Sequence, residues 1–182
     1  SSQARPRRLM AVCATRDEGR ARVIELVAAF KRREADHLSA GYNETQARTD
    51  FISPLLGAFG WDVHNDRGHP LGLREVFEEA TVDVGPERLS KRPDYELRLA
   101  RQRKLFVEAK KPRLDIERDL AAAFQVRRYG FSGSLPISVL TNFRQLAVYD
   151  CGPVPDAADL PHVARLLFVN YEGYEARFDG LW

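Results

Sequence analysis

Residues 92–112 read RPDYELRLARQRKLFVEAKKP. Asp94 to Leu99 alternates polar and apolar side chains, and Lys104 to Ala109 is a short apolar run, so each reads as a strand. The polar turn between them joins the two into an antiparallel hairpin. Side chains alternate along a strand, which places Glu108 and Lys110 on one face, and cross-strand pairing brings Asp94 alongside them.

Two carboxylates and an ammonium at one spot match the needs of a hard divalent cation such as Mg2+, with Mn2+ as a substitute. Asp94 and Glu108 would be ligands, and the carbonyl of Ala109 would complete the protein's share. The metal would polarise a phosphoryl oxygen and activate water, while Lys110 would position that water or offset developing charge. The alternative is an ordinary cross-strand ion pair on a solvated sheet face. Such pairs contribute only about 0–1 kcal/mol and are common.

Upstream, residues 17–38 predict a helix capped by Asp17, with Val23, Ile24, Val27 and Phe30 at helical spacing. NETQARTDFISPLLGAFGW, residues 43–61, predicts a second, opened by an Asn43/Gln46 capping box, kinked by Pro54 and stopped at Gly60. A short strand is expected over Glu79 to Val84. Downstream, Ile116 to Tyr129 returns to helical spacing and Gly130 is expected to end it. Leu135 to Leu140, Gln145 to Tyr149 and Ala164 to Val169 read as strands, the first two joined by TNFR. A small mixed sheet flanked by helices follows, an α/β (α+β) class.

With 182 residues and 44% hydrophobic content, the chain suits one domain spanning 1–182, with residues 1–16 as a flexible leader. The net charge of +2 announces no polyanionic partner, yet Arg92 to Arg128 holds eleven Lys/Arg against six Asp/Glu. Within that region Lys111, Arg113, Arg127 and Arg128 are candidates to grip DNA phosphates. Cys13 and Cys151 lie far apart, and no apolar run reaches the length of a membrane span. A reduced, cytoplasmic setting is therefore expected, with no membrane partner. His64 and His69 sit among turn residues and read as loop rather than ligands. Asp83 is a weaker addition to the acidic site, and Trp61 and Trp182 read as packing residues.

Pro93-Asp94 and Glu108-Ala109-Lys110 resemble the motif of the PD-(D/E)xK nuclease superfamily. AAAFQVRRYG, residues 121–130, places Gln125 and Tyr129 one helical turn apart, similar to the Gln-x-x-x-Tyr motif of type I and type IIG-like restriction-modification enzymes. The segments around NETQARTDFISPLLGAFGWDV and LTNFRQLAVYD resemble those N-terminal nuclease domains too, so the likeness covers roughly residues 42–150.

The resemblance implies a restriction-endonuclease-like core and a Mg2+-dependent endodeoxyribonuclease acting on double-stranded DNA in a restriction system. Asp94 and Glu108 match the metal ligands, Lys110 the catalytic lysine, and Gln125 and Tyr129 the accessory motif. Glu44 matches a glutamate that reaches the metal from the first helix. It further implies an excised N-terminal module, with methyltransferase, target-recognition or motor domains downstream and a transient dimer on DNA. No phosphate-cradling Gly-x-x-x-x-Gly-Lys loop or Gly-rich methyl-donor motif appears in the chain. A repair nuclease such as a junction resolvase, or a non-cleaving module that binds DNA or a partner on the same fold, is the alternative function.

Overall fold

The hairpin forms as its residues dictate. In the computed structural model, which describes residues 12–78 and 92–182, β2 (Tyr95–Leu99) and β3 (Gln102–Ala109) pair antiparallel from Tyr95↔Val107 to Leu99↔Gln102. Ala100 and Arg101 link them with φ of 49° and 69°, the left-handed pair that a tight two-residue turn requires. Around this hairpin lies a six-stranded sheet in sequential order: β1 (Val76–Glu78), β2, β3, β4 (Ile137–Thr141), β5 (Gln145–Asp150) and β6 (Arg165–Asn170). Every neighbouring pair is antiparallel except β3 and β4, which run parallel. A parallel pair needs a crossover. The helix α5 (Leu120–Ser132), fifth along the described chain, supplies it.

Among the described residues, four α-helices precede α5. They are α1 (Arg16–Arg32), α2 (Glu34–His37), α3 (Glu44–Ala47) and α4 (Ser53–Ala58); α6 (Tyr174–Leu181) closes the described chain. Strand alternation divides their packing between two faces. Val107, Ala109, Leu146 and Val169 bury against Val23, Leu26, Phe30, Ile52, Leu55 and Phe178 from α1, the α3–α4 region and α6. The opposite face, with Leu140, Ala147 and Tyr149, packs on Ala122, Ala123 and Val126 of α5. Phe106, on that same face of β3, joins Tyr129 and Leu135. The sheet is thus covered on both sides by helices, the expected α/β architecture and consistent with a restriction-endonuclease-like core.

Several boundaries differ from expectation. Thr15, not Asp17, caps α1: its hydroxyl accepts from the Glu18 N–H at 3.2 Å, and the Glu18 carboxylate accepts from the Thr15 N–H at 3.2 Å. That capping box outcompetes a lone Asp. The expected 17–38 helix breaks at Arg33, whose φ/ψ of −131°/35° is not helical. Ile24 is 41% exposed while Leu26 is 1% exposed, so the buried stripe is rotated relative to the expected one. Of the expected leader, residues 1–11 lie outside the described residues; within 12–16, Cys13 is buried and its N–H donates to the Gly57 carbonyl at 3.0 Å.

Pro54 leaves its mark without ending the helical path. Residues Arg48–Ile52 widen into a π-turn, with the Ser53 N–H donating to the Arg48 carbonyl, and Pro54 enters at the first turn of α4. Widening the turn relieves the crowding that a proline ring imposes on the preceding carbonyl. Gly130 lies inside α5 rather than at its end. A Cβ there would overlap Cys151 Sγ and lie 2.5 Å from Ser138 Oγ, so glycine allows the helix to approach β4 and β5. The helix also starts at an Asp119 cap, later than Ile116. The helix α6 is an addition to the expected elements. The expected strand over Glu79 to Val84, with Asp83, lies outside the described residues, beyond β1.

Candidate functional site

The site forms at the β3–β4 seam because three local arrangements converge there. Continuing the β2–β3 register one step beyond Tyr95↔Val107 sets Asp94 opposite Glu108. Alternation turns Glu108 and Lys110 toward the α5 face. One turn of α5 then presents Gln125 and Tyr129 to them.

Lys110 Nζ donates to Glu108 Oε1 at 2.8 Å and to Gln125 Oε1 at 3.1 Å. Gln125 Nε2 donates to Tyr129 Oη at 2.9 Å, which fixes the amide with its oxygen toward the lysine. The Lys110 N–H donates to the Thr141 carbonyl at 3.0 Å, tying the lysine's backbone to β4. Asp94 Oδ2 accepts from the Ala109 N–H at 2.7 Å. The expected role of Ala109 is through its carbonyl; in the structure it is the amide that engages the site, holding Asp94 in place.

Glu108 is 5% exposed, and its second oxygen, Oε2, is buried without a hydrogen-bond partner. Leaving a buried carboxylate oxygen unsatisfied is costly, and such atoms in folded proteins call for an explanation. Burial pushes the Glu108 carboxyl up to about 7; the Lys110 hydrogen bond opposes this, and the Asp94 and Glu44 charges reinforce it. Glu44, at the start of α3, is raised as well, by burial first and then by Asp94, against the pull of Lys110, Arg48 and Lys111. Glu44 therefore belongs to the electrostatic neighbourhood of the site. Tyr129 is pushed up to about 12, chiefly by burial, and stays a neutral phenol.

The donor set suits a hard cation in part. Among the described residues no three His, Cys, Asp or Glu side chains gather tightly enough to form a metal cluster. Asp94 and Glu108 can supply two carboxylates, with backbone oxygen and water for the remaining positions, an arrangement Mg2+ favours. The unpartnered Glu108 oxygen is the feature a cation would satisfy.

The basic candidates divide. Lys111, Arg113 and Arg128 are exposed, Arg128 with its guanidinium 5.8 Å from the Phe124 ring. Arg127 is not at the rim. It is 2% exposed, and its Nη1 donates to Asp159 Oδ2 at 2.7 Å, because its place on α5 faces the 151–164 loop rather than solvent. His64 and His69 flank a turn closed by mutual Asn65–His69 hydrogen bonds of 2.9 Å, as expected of loop residues. Trp61 packs at the edge of the core, and the Trp182 ring, 41% exposed, lies 5.6 Å from that of Phe178 at a tilt of 35°.

Sequence reading missed Arg48, whose Nη1 lies 3.4 Å from Asp94 Oδ1, and Glu96, 1% exposed between Arg98 and Arg103 at 2.5 and 3.0 Å. Burial alone would raise the Glu96 carboxyl, but hydrogen bonds from Arg103 and Arg98 prevail and hold it below its ordinary value. The spacing of Arg48, four residues after Glu44, carried a signal: it puts both on one helical face. No helix among the described residues is long and apolar enough to cross a membrane.

No protein-family model matches the chain, and no solved structure does. Over 141 residues, 78% of its length, the chain is 43% identical to the type II restriction enzyme and methyltransferase RM.Eco57I of Escherichia coli. The matched stretch spans 14% of that relative's length. This chain is therefore a restriction-enzyme-related domain, akin to one segment of a much longer protein.

Proposed function

We propose that this domain is a Mg2+-dependent endodeoxyribonuclease of the PD-(D/E)xK type, serving a restriction-modification system. The observation that carries the reading is the buried, unpartnered Oε2 of Glu108, set beside Lys110 and across from Asp94. A buried carboxylate oxygen without a partner costs free energy that a bound cation would recover.

Asp94 and Glu108 would hold the ion, with Glu44 adding negative field from α3. When bound, it would polarise the scissile phosphate and lower the pKa of an attacking water. The chain's own residues do the rest. Lys110, oriented by Glu108 and Gln125, directs its ammonium toward the phosphate and offsets the charge that builds on it. Tyr129 keeps Gln125 from flipping its amide. Lys111, Arg113 and Arg128 contact neighbouring phosphates, giving affinity without reading sequence.

The relative's printed name couples restriction with methyltransferase activity. On this reading the domain works with methyltransferase and target-recognition parts that choose the DNA sequence, acts in the cytoplasm, and meets a second copy transiently on DNA to cut both strands. The test is plasmid nicking with Mn2+, comparing the parent with Lys110→Ala. Nicking by the parent alone supports a hydrolytic site. If neither nicks, calorimetry decides: Mn2+ uptake abolished by Asp94→Ala keeps the site as a dormant centre, and no uptake returns the three charges to an ion pair.

A further inference from the structure

Among the described residues, the Asp94 carboxylate is tied at both oxygens, and these ties come from different parts of the fold. Oδ2 accepts from the Ala109 N–H at 2.7 Å, within the hairpin. Oδ1 lies 3.4 Å from Arg48 Nη1, which reaches it from the helical path across the sheet. Arg48 is only 12% exposed in its side chain, and its Nη2 lies 3.7 Å from Glu78 Oε1 at the end of β1. Its guanidinium carbon stands 5.0 Å above the ring of Tyr95, the residue that follows Asp94.

The π-turn explains how one side chain meets all three. Arg48 and Ser53 are the two ends of its defining hydrogen bond. Ser53 Oγ shares a 2.8 Å hydrogen bond with the Tyr95 hydroxyl. Tyr95 is thus gripped by Ser53 at its hydroxyl and covered by Arg48 on its face. The buried neighbours Ala47, Phe51 and Ile52 fix the turn's rotation against the core. One-turn π-insertions recur where a helix must re-aim a side chain.

We propose that Arg48 is a positioning residue that clamps the Asp94 carboxylate, so that the helical path and the hairpin set its orientation jointly. Its importance for DNA cleavage rests on the nuclease reading; the clamp itself does not. Arginine suits the task because its planar fork can serve two carboxylates while stacking on a ring. A lysine offers only a point charge.

The experiment follows the Ala109 amide by hydrogen exchange, without metal, in the full chain and in Arg48→Met, Arg48→Lys and Asp94→Ala. Methionine keeps an apolar stem over Tyr95 and removes the charge, so packing and clamping are separated. The expected result is an Ala109 amide exchanging at least about tenfold faster in Arg48→Met, approaching the Asp94→Ala rate, as befits loss of a hydrogen bond to a charged acceptor. Amides of β5 should keep their rates, and Arg48→Lys should recover only part of the protection. Wild-type protection in Arg48→Met overturns the proposal. So does a uniform acceleration across β5, which would make Arg48 a general packing residue, and so does full rescue by lysine. Manganese titration of the unsubstituted protein is read separately. No uptake beside a selective Ala109 response removes the nuclease reading and leaves the clamp standing.

Discussion

Lys110, one residue past the end of β3, and Gln125, on the crossover helix, meet with the lysine Nζ donating to the glutamine Oε1 at 3.1 Å. The amide is itself held by Tyr129, so the lysine is braced from the helix as well as from Glu108. Gln125→Ala should therefore slow DNA nicking about tenfold, the scale of one lost hydrogen bond in a barrier. Tyr129→Phe should lower the rate less, and the double variant should fall short of the product of the two, because both act through Lys110. Initial nicking rates of the three variants test this.

Lys110→Ala should reduce nicking at least about a hundredfold, the scale of removing a donor aimed at developing charge. The fold should survive, since the lysine's backbone bond to Thr141 is retained. A normal thermal transition with absent nicking is the expected pair of results.

The Glu108 carboxyl, raised by burial from 4.5 to about 7, makes stability depend on pH in an unusual direction for an acid. Between those values the folded state keeps a proton that the unfolded state releases. Stability therefore falls as pH rises through this window and levels off above it, by an amount on the order of a few kcal/mol. Glu108→Gln should flatten that slope and exceed the parent's stability at about pH 8. Urea denaturation across the range checks both signs.

On the nuclease reading, a divalent cation would compete with that proton. Mn2+ should raise the thermal midpoint more at about pH 8 than at about pH 5.5, and the effect should vanish in Asp94→Ala. Thermal scans with and without chelator measure it.

Gly130→Ala should destabilise the domain although alanine is the better helix former. The gain in propensity is about 1 kcal/mol, whereas the new methyl would lie 2.5 Å from Ser138 Oγ and overlap Cys151 Sγ, an overpacking that costs about 1–3 kcal/mol. The truncation Arg127→Ala should also destabilise, by about 2–4 kcal/mol for a fully buried stem, while leaving DNA affinity nearly unchanged. Arg113→Ala and Arg128→Ala should do the reverse. Denaturation midpoints beside salt-dependent DNA binding separate the two kinds of arginine.

The hairpin was legible because strand alternation and a polar turn are local signals, and they fixed the relation of Asp94 to Glu108. The pairing of Gln125 with Tyr129 was equally legible from a four-residue spacing. Gly130 misled, since a glycine demanded by a neighbour's proximity looks the same in sequence as one that ends a helix. Arg127 and Arg128 are adjacent and identical in type, and only the rotation of α5 sends one to Asp159 and the other to solvent. Arg48 was overlooked because its partner Asp94 lies 46 residues away, beyond any periodic signal.

The parallel seam between β3 and β4 has a consequence for the order in which the chain folds. The β2–β3 hairpin and the β4–β5 hairpin each close over a few residues, an early and local event. The seam waits for the longer segment from Ala109 to Ile137 to return with its helix, a closure with a larger entropic cost. Until then Glu108 is hydrated and Lys110 has no Gln125. On the nuclease reading, a half-made molecule carries every residue of the cleaving centre and no centre, so phosphodiester chemistry is withheld from nascent or partly unfolded chains by the topology itself.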